Sequence, residues 1–147
     1  MPSNLTSIGK AAFNNNKLPN GQAFIYARNM DGSEDLTTVV SYGGAQLENV
    51  MIPNGVLNIG AAAFSWIGLT SVTIPNSVIN IGVEAFYNNG LTNIIIGSGV
   101  TNIDEYAFNT NQLTSIVIPN SVLNIGNDAF NNNQLASVTI PASVTNI

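Results

Sequence analysis

The groups in this sequence that could do acid–base or ligand chemistry are eight carboxylates and three cations. The carboxylates are Asp31, Glu34, Asp35, Glu48, Glu84, Asp104, Glu105 and Asp128, and the cations are Lys10, Lys17 and Arg28. Cys and His are both absent. Without them there is no thiol nucleophile, no imidazole base and no donor set for a zinc finger or a c-type haem. Glycoside hydrolysis asks for two carboxyl groups facing each other across a sugar, and the spacing implies no such pair. Glu84 and Asp128 share a repeat phase with Ala62 and Tyr106, which places them on an exposed, solvated corner. Asp31, Glu34 and Asp35 could collect a calcium ion, but RNMDGSED lacks the spaced oxygen ligands and closing Glu of an EF-hand loop. It reads instead as a solvated hairpin tip. No catalytic residue, cofactor or metal is implied, and the chain reads as a non-enzyme.

The elements that would position any site follow from composition and periodicity. A chain of 147 residues, 45% of them hydrophobic, is long enough for one domain with a core that needs no disulfide. A net charge of −5 offers no positive surface for nucleic acid or anionic lipid. No apolar run approaches the roughly 20 residues that cross a bilayer, and MPSNLTSIGK lacks a signal peptide's charged and apolar regions.

Self-similarity decides the architecture. Leu47, Leu69, Leu91, Leu113 and Leu135 recur at a spacing of 22. Three residues after each Leu stands Val50, Val72, Ile94, Ile116 or Val138, and two further on Ile52, Ile74, Ile96, Ile118 or Ile140. That period of two predicts a short strand with one buried face. Pro53, Pro75, Pro119 and Pro141 end the strands, with Gly97 standing in once. A second apolar set follows, Val56 and Ile59 with their equivalents, facing the same core. Gly60, Gly82 and Gly126, with Asp104 as the exception, then read as a column needing positive φ. Ala-Phe pairs at 63–64, 85–86, 107–108 and 129–130 close each unit on what the pattern suggests is a single helical turn, with the rings stacked into a spine.

Asn is the commonest polar residue, 24 of 147, and it is phased. Asn58, Asn80, Asn102, Asn124 and Asn146 share one column, which predicts an internal amide ladder. Runs such as Asn131, Asn132 and Asn133 after each Phe read as turn formers that tolerate left-handed backbone. Residues 1–17 fit a partial repeat, with Pro2, Leu5, Ile8, Gly9, Ala12 and Phe13 in their columns. Residues 47–134 are four regular repeats and 135–147 a partial one, so the ends read as apolar and uncapped. The unit 18–46 is irregular, seven residues longer than the rest. Its stretches QAFIYARN and LTTVVSYGG flank Asp31–Gly32, a turn signal, and predict a β-hairpin projecting from one rung.

The units LTSVTIPNSVINIGVEAFYNNG (69–90) and LTSIVIPNSVLNIGNDAFNNNQ (113–134) resemble the BspA-like leucine-rich repeat family, the Treponema pallidum type. The match spans nearly the whole chain. It implies a β-rich repeat solenoid, a right-handed superhelix of 22-residue repeats, with a sheet of short strands on its concave face. It also implies an extracellular or cell-surface protein, where members act as adhesins on host matrix proteins or other cells.

Two surfaces are candidates for contact. Alternation puts one column, Asn49, Ser71, Asn93, Ser115 and Ser137, and a second, Met51, Thr73, Ile95, Val117 and Thr139, opposite the core. With about 4.8 Å between strands, five rungs give a nearly uncharged strip about 20 Å long, suited to a protein or glycan ligand. The same residue types are also ordinary strand formers. Tyr26, Arg28 and Tyr42 make the hairpin a second candidate, although Phe24, Ile25, Val39 and Val40 could equally just extend the core. A structural role remains as the alternative, in which uncapped solenoid ends pair with other chains through open strand edges.

Overall fold

In the computed structural model, which describes residues 4–147, the repeats stack as the rungs of a β-solenoid. The expected place of Pro2 lies outside the described residues. Among the described residues nine strands form: β1 (Phe24–Arg28), β2 (Glu34–Tyr42), β3 (Val50–Met51), β4 (Asn58–Ile59), β5 (Ser71–Thr73), β6 (Asn80–Ile81), β7 (Asn93–Ile95), β8 (Asn102–Ile103) and β9 (Asn124–Ile125). They make two walls. The strand wall is parallel, in the order β3-β5-β7, and the ladder wall runs β1-β2-β4-β6-β8-β9. From β3 onward, pairing in both joins equivalent residues 22 positions apart, as in Val50 with Val72 and Asn80 with Asn102.

A third wall closes each rung through the Ala-Phe segment, and here two expectations change. No helical turn forms; the one short helix among the described residues is a 3₁₀ turn at Asn20–Gln22. Instead Ala62, Glu84, Tyr106 and Asp128 hold φ between 53° and 57°, and a second left-handed column follows at Trp66, Asn88, Thr110 and Asn132. A left-handed residue cannot continue a right-handed helix, so the chain makes two tight turns per rung. Backbone bonds then run sideways, as from Phe86 N to Ala107 O at 2.8 Å and Asn88 N to Asn109 O at 3.0 Å. The Gly60 column does not have positive φ. Its glycines answer close approach: a Cβ on Gly82 would stand 2.8 Å from Ile59 O, and one on Gly126 2.4 Å from Glu105 N. Asp104 shares this column without a left-handed backbone, so the tolerance for positive φ expected of it has no role.

The core lies between the three walls. Leu69, Leu91, Leu113, Val78, Val100 and Val122 are fully buried. The rings form the expected spine, Phe64, Phe86, Phe108 and Phe130 stacking at centroid separations of 4.9, 5.1 and 5.5 Å. Tyr42 continues it, 5.3 Å from Phe64.

The hairpin forms as expected, β1 against β2, but part of it belongs to the wall. Thr38 and Val39 of β2 pair in parallel with Asn58 and Ile59 of β4. Two register shifts make this possible, because β1 partners skip Val40 and Leu36–Thr38. Bulged residues release their ladder groups. The carbonyls of Thr37 and Val40 then accept from Leu57 N at 2.8 Å and Ala11 N at 3.1 Å, so β2 serves as a rung.

Candidate binding site

The outward columns of the strand wall stand on a scaffold fixed from behind by Val50, Val72, Ile52 and Ile74, all buried. Alternation leaves Met51, Ile95 and Val117 exposed, 71%, 56% and 83% respectively, with Thr73 partly covered between them. Asn49 and Ser71 are committed to each other: Asn49 N donates to Ser71 Oγ at 2.7 Å, and Ser71 Oγ to Asn49 Oδ1 at 3.3 Å. Asn93 is exposed. Beside this strip Met51, Pro53, Thr73, Pro75 and Asn76 line a shallow cavity of about 460 Å³. The strip is regular over three rungs rather than five. Ser115, Val117, Ser137 and Thr139 are exposed as expected but lie beyond β7, on chain assigned to no strand.

None of the three hairpin candidates is fully exposed. Tyr42 is buried in the ring spine, with its hydroxyl donating to Gln46 O at 3.0 Å. Burial pushes its phenol pKa up, and its ring is unavailable to a partner. The Arg28 side chain is 5% exposed, in an ion pair with Glu34 at 3.2 Å, and also donates to Gly32 O at 3.3 Å. Tyr26 is half-buried, its pKa raised by burial and then by the Glu34 charge.

Each acidic residue at the tip has its own local partner. Asp31 accepts from Ser33 N and Oγ, and Asp35 from Thr37 N and Oγ1. These hydroxyl bonds hold both carboxyls below the usual range. Among the described residues no group of three His, Cys, Asp or Glu is placed to hold a metal ion. Nor is any helix there long and apolar enough to cross a membrane. On the third wall, Asp128 and Glu105 raise the Tyr106 phenol pKa by their charge.

The Asn columns divide the structural work. On the ladder wall each amide donates to the one before it: Asn80 to Asn58 at 2.8 Å, Asn102 to Asn80 at 2.6 Å, Asn124 to Asn102 at 2.7 Å and Asn146 to Asn124 at 2.6 Å. The series ends on the Thr38 hydroxyl, 3.4 Å from Asn58 Nδ2. A second Asn column, expected from the sequence to form turns, also clamps neighbouring rungs together. Asn111, buried, donates from Nδ2 to Phe86 O and Phe108 O at 3.0 Å each and accepts at Oδ1 from Leu91 N at 3.1 Å. Asn89 and Asn133 repeat this clamp. The signal was present in the sequence: each stands two residues before a core Leu.

A parallel solenoid with a leucine column and amide ladder is the architecture of leucine-rich repeat proteins. The family model of the BspA type leucine-rich repeat region matches residues 39–147 in six copies, and the chain belongs to that family. Among solved structures it is similar to the Treponema pallidum leucine-rich repeat protein, at 29% identity and a TM-score of 0.72, over 89% of this chain and 64% of that one. A leucine-rich repeat protein of Bacteroides capillosus matches at 26% identity and a TM-score of 0.66, over 91% and 97%. One from Eubacterium ventriosum matches at 31% and 0.64, over 68% of this chain and 27% of that. The chain thus spans under two thirds of the Treponema protein and about a quarter of the Eubacterium one. No curated protein matches the sequence.

Proposed function

We propose that this chain is a non-catalytic binding module of a bacterial-type surface protein, contacting a protein or glycan ligand through its strand wall. The observation that carries this reading is the line of exposed apolar side chains, Met51, Ile95 and Val117, on a rigid, nearly uncharged face. An apolar row backed by a packed core is what a protein partner desolvates at the centre of an interface. Extracellular display and adhesion to host matrix proteins or cells rest on family membership. The test replaces Thr73, Ile95 and Val117 together by Lys and measures binding to a panel of matrix proteins and glycans, at concentrations where light scattering gives one constant mass. Loss of binding in a folded variant is expected. Full retention would remove the strand wall from the ligand site.

A further inference from the structure

We infer that the third wall carries a separate docking site for a neutral oligosaccharide, seated on the indole of Trp66. Trp66 is the sole Trp of the chain and is 62% exposed, with φ of 60°. Its column is otherwise filled by Asn15, Asn88, Thr110 and Asn132, small polar residues in the same left-handed conformation. A bulky aromatic residue there is strained, and burial does not compensate it. Its ring is steadied from one side, edge-to-face with Tyr87 at a centroid distance of 5.9 Å. Strain kept with one aromatic contact and most of the ring left in solvent is what a functional position shows.

The surface leading away from the indole supplies the polar half of such a site. Neither the Asn88 nor the Asn132 side chain hydrogen-bonds another described residue, whereas the Asn58 ladder and the Asn111 clamp columns are spent on their neighbours. An amide offers two donors and an acceptor oxygen, the complement of sugar hydroxyls. Rungs repeat about every 4.8 Å, so Asn88 stands one rung and Asn132 three rungs from Trp66, on the scale of successive pyranose rings. None of the residues at 65–67, 87–89, 109–111 and 131–133 is charged, and the chain is −5 overall. That favours a neutral glycan over an acidic one. A flat aromatic face beside oriented polar groups receives the C–H face of a pyranose while its hydroxyls bond the amides.

The lone indole makes the test direct, because all Trp fluorescence comes from this position. The full chain is titrated with β-1,4-linked hexasaccharides of glucose, xylose and N-acetylglucosamine, with polygalacturonate as the acidic comparison. At least one neutral hexasaccharide should shift the emission saturably and shield it from acrylamide. Calorimetry should show binding at least tenfold weaker in Trp66→Asn and several-fold weaker in Asn88→Ala/Asn132→Ala. Trp66→Asn should also melt at or above the wild-type temperature, since Asn suits the backbone better. The strand-wall Lys variant should bind sugar normally, so failure of one site is distinguishable from failure of the other. The inference is overturned by silence toward all three neutral sugars, by equal binding of polygalacturonate, by unchanged affinity in Trp66→Asn, or by a melting temperature for that variant well below wild type.

Discussion

The ladder wall and the strand wall are built from the same rungs, yet pairing on one reaches from the hairpin to Asn146 while on the other it stops at β7. Backbone chemistry is common to both. What differs is the side chain: each ladder rung from Asn80 to Asn146 adds an Asn-to-Asn bond of 2.6 to 2.8 Å, whereas the strand wall carries Met51, Thr73 and Ile95 facing outward. A polar column that bonds its own image fixes register without help from a partner. The wall lacking it is the one with apolar side chains left over for something else.

The largest effect should come from the core that both walls share. Phe108→Ala removes an interior ring of the spine and should cost about 3–5 kcal/mol. Thermal melting followed separately at the Trp66 fluorescence and by far-ultraviolet dichroism would show whether the walls fail together, and a melt equal to wild type would refute the spine's energetic role. Next comes the ladder itself. Asn102→Ala deletes one donor to Asn80 and one acceptor from Asn124, at a cost of about 1–3 kcal/mol. Urea midpoints measure it, and a loss below that of Asn93→Ala on the strand wall would reverse the ranking of the walls. Smaller again is the effect of Lys at Thr73, Ile95 or Val117, each expected to change stability by less than about 1 kcal/mol because these side chains already face solvent. A larger loss would mean that the strand wall is a structural surface.

The smallest effect lies at the start of β2, where the ladder wall runs out into the hairpin. Hydroxyl bonds hold the Asp35 carboxyl below its ordinary value of 3.8. A lowered folded pKa means that the stabilisation is complete above the unfolded value and fades as pH falls through the folded one. The amide protection factor around Thr37 should therefore fall only in strong acid, below about pH 4, while that of Ile81 on the ladder wall stays unchanged. A fall already at pH 6 would point to another group.

The columns that bind their own images were legible in the sequence, because a 22-residue spacing superposes like on like: the Leu column, the Phe spine and the Asn58 ladder all stand where the pattern put them. Backbone handedness was legible only in part: Asn132, in a run read as tolerating left-handed backbone, does hold φ of 53°. Gly60, Gly82 and Gly126 suggested positive φ, yet the left-handed residues two places on are Ala62, Glu84 and Asp128, of which Asp alone is a type that readily tolerates it. Spacing could not tell a clamp from a turn at Asn111, since its partners are carbonyls of two different rungs. The hairpin was readable as a hairpin, but its entry into the ladder wall depends on bulges at Val40 and Leu36–Thr38 that no local residue type marks. On the candidate surfaces, alternation identified the outward faces. It could not show that Tyr42 completes the ring stack, nor that Trp66 breaks a column of amides.

Stacking rungs 22 residues apart also gives the molecule a mechanical character. Along the axis each rung occupies about 4.8 Å, yet its backbone, drawn straight, would extend to about 75 Å. Tension applied between the two ends would load the bonds of a terminal rung first, and its release would pass the load to the next. Such a chain would lengthen in equal steps under load, each step dissipating work before the following rung is strained, which is how a tether stretches without snapping.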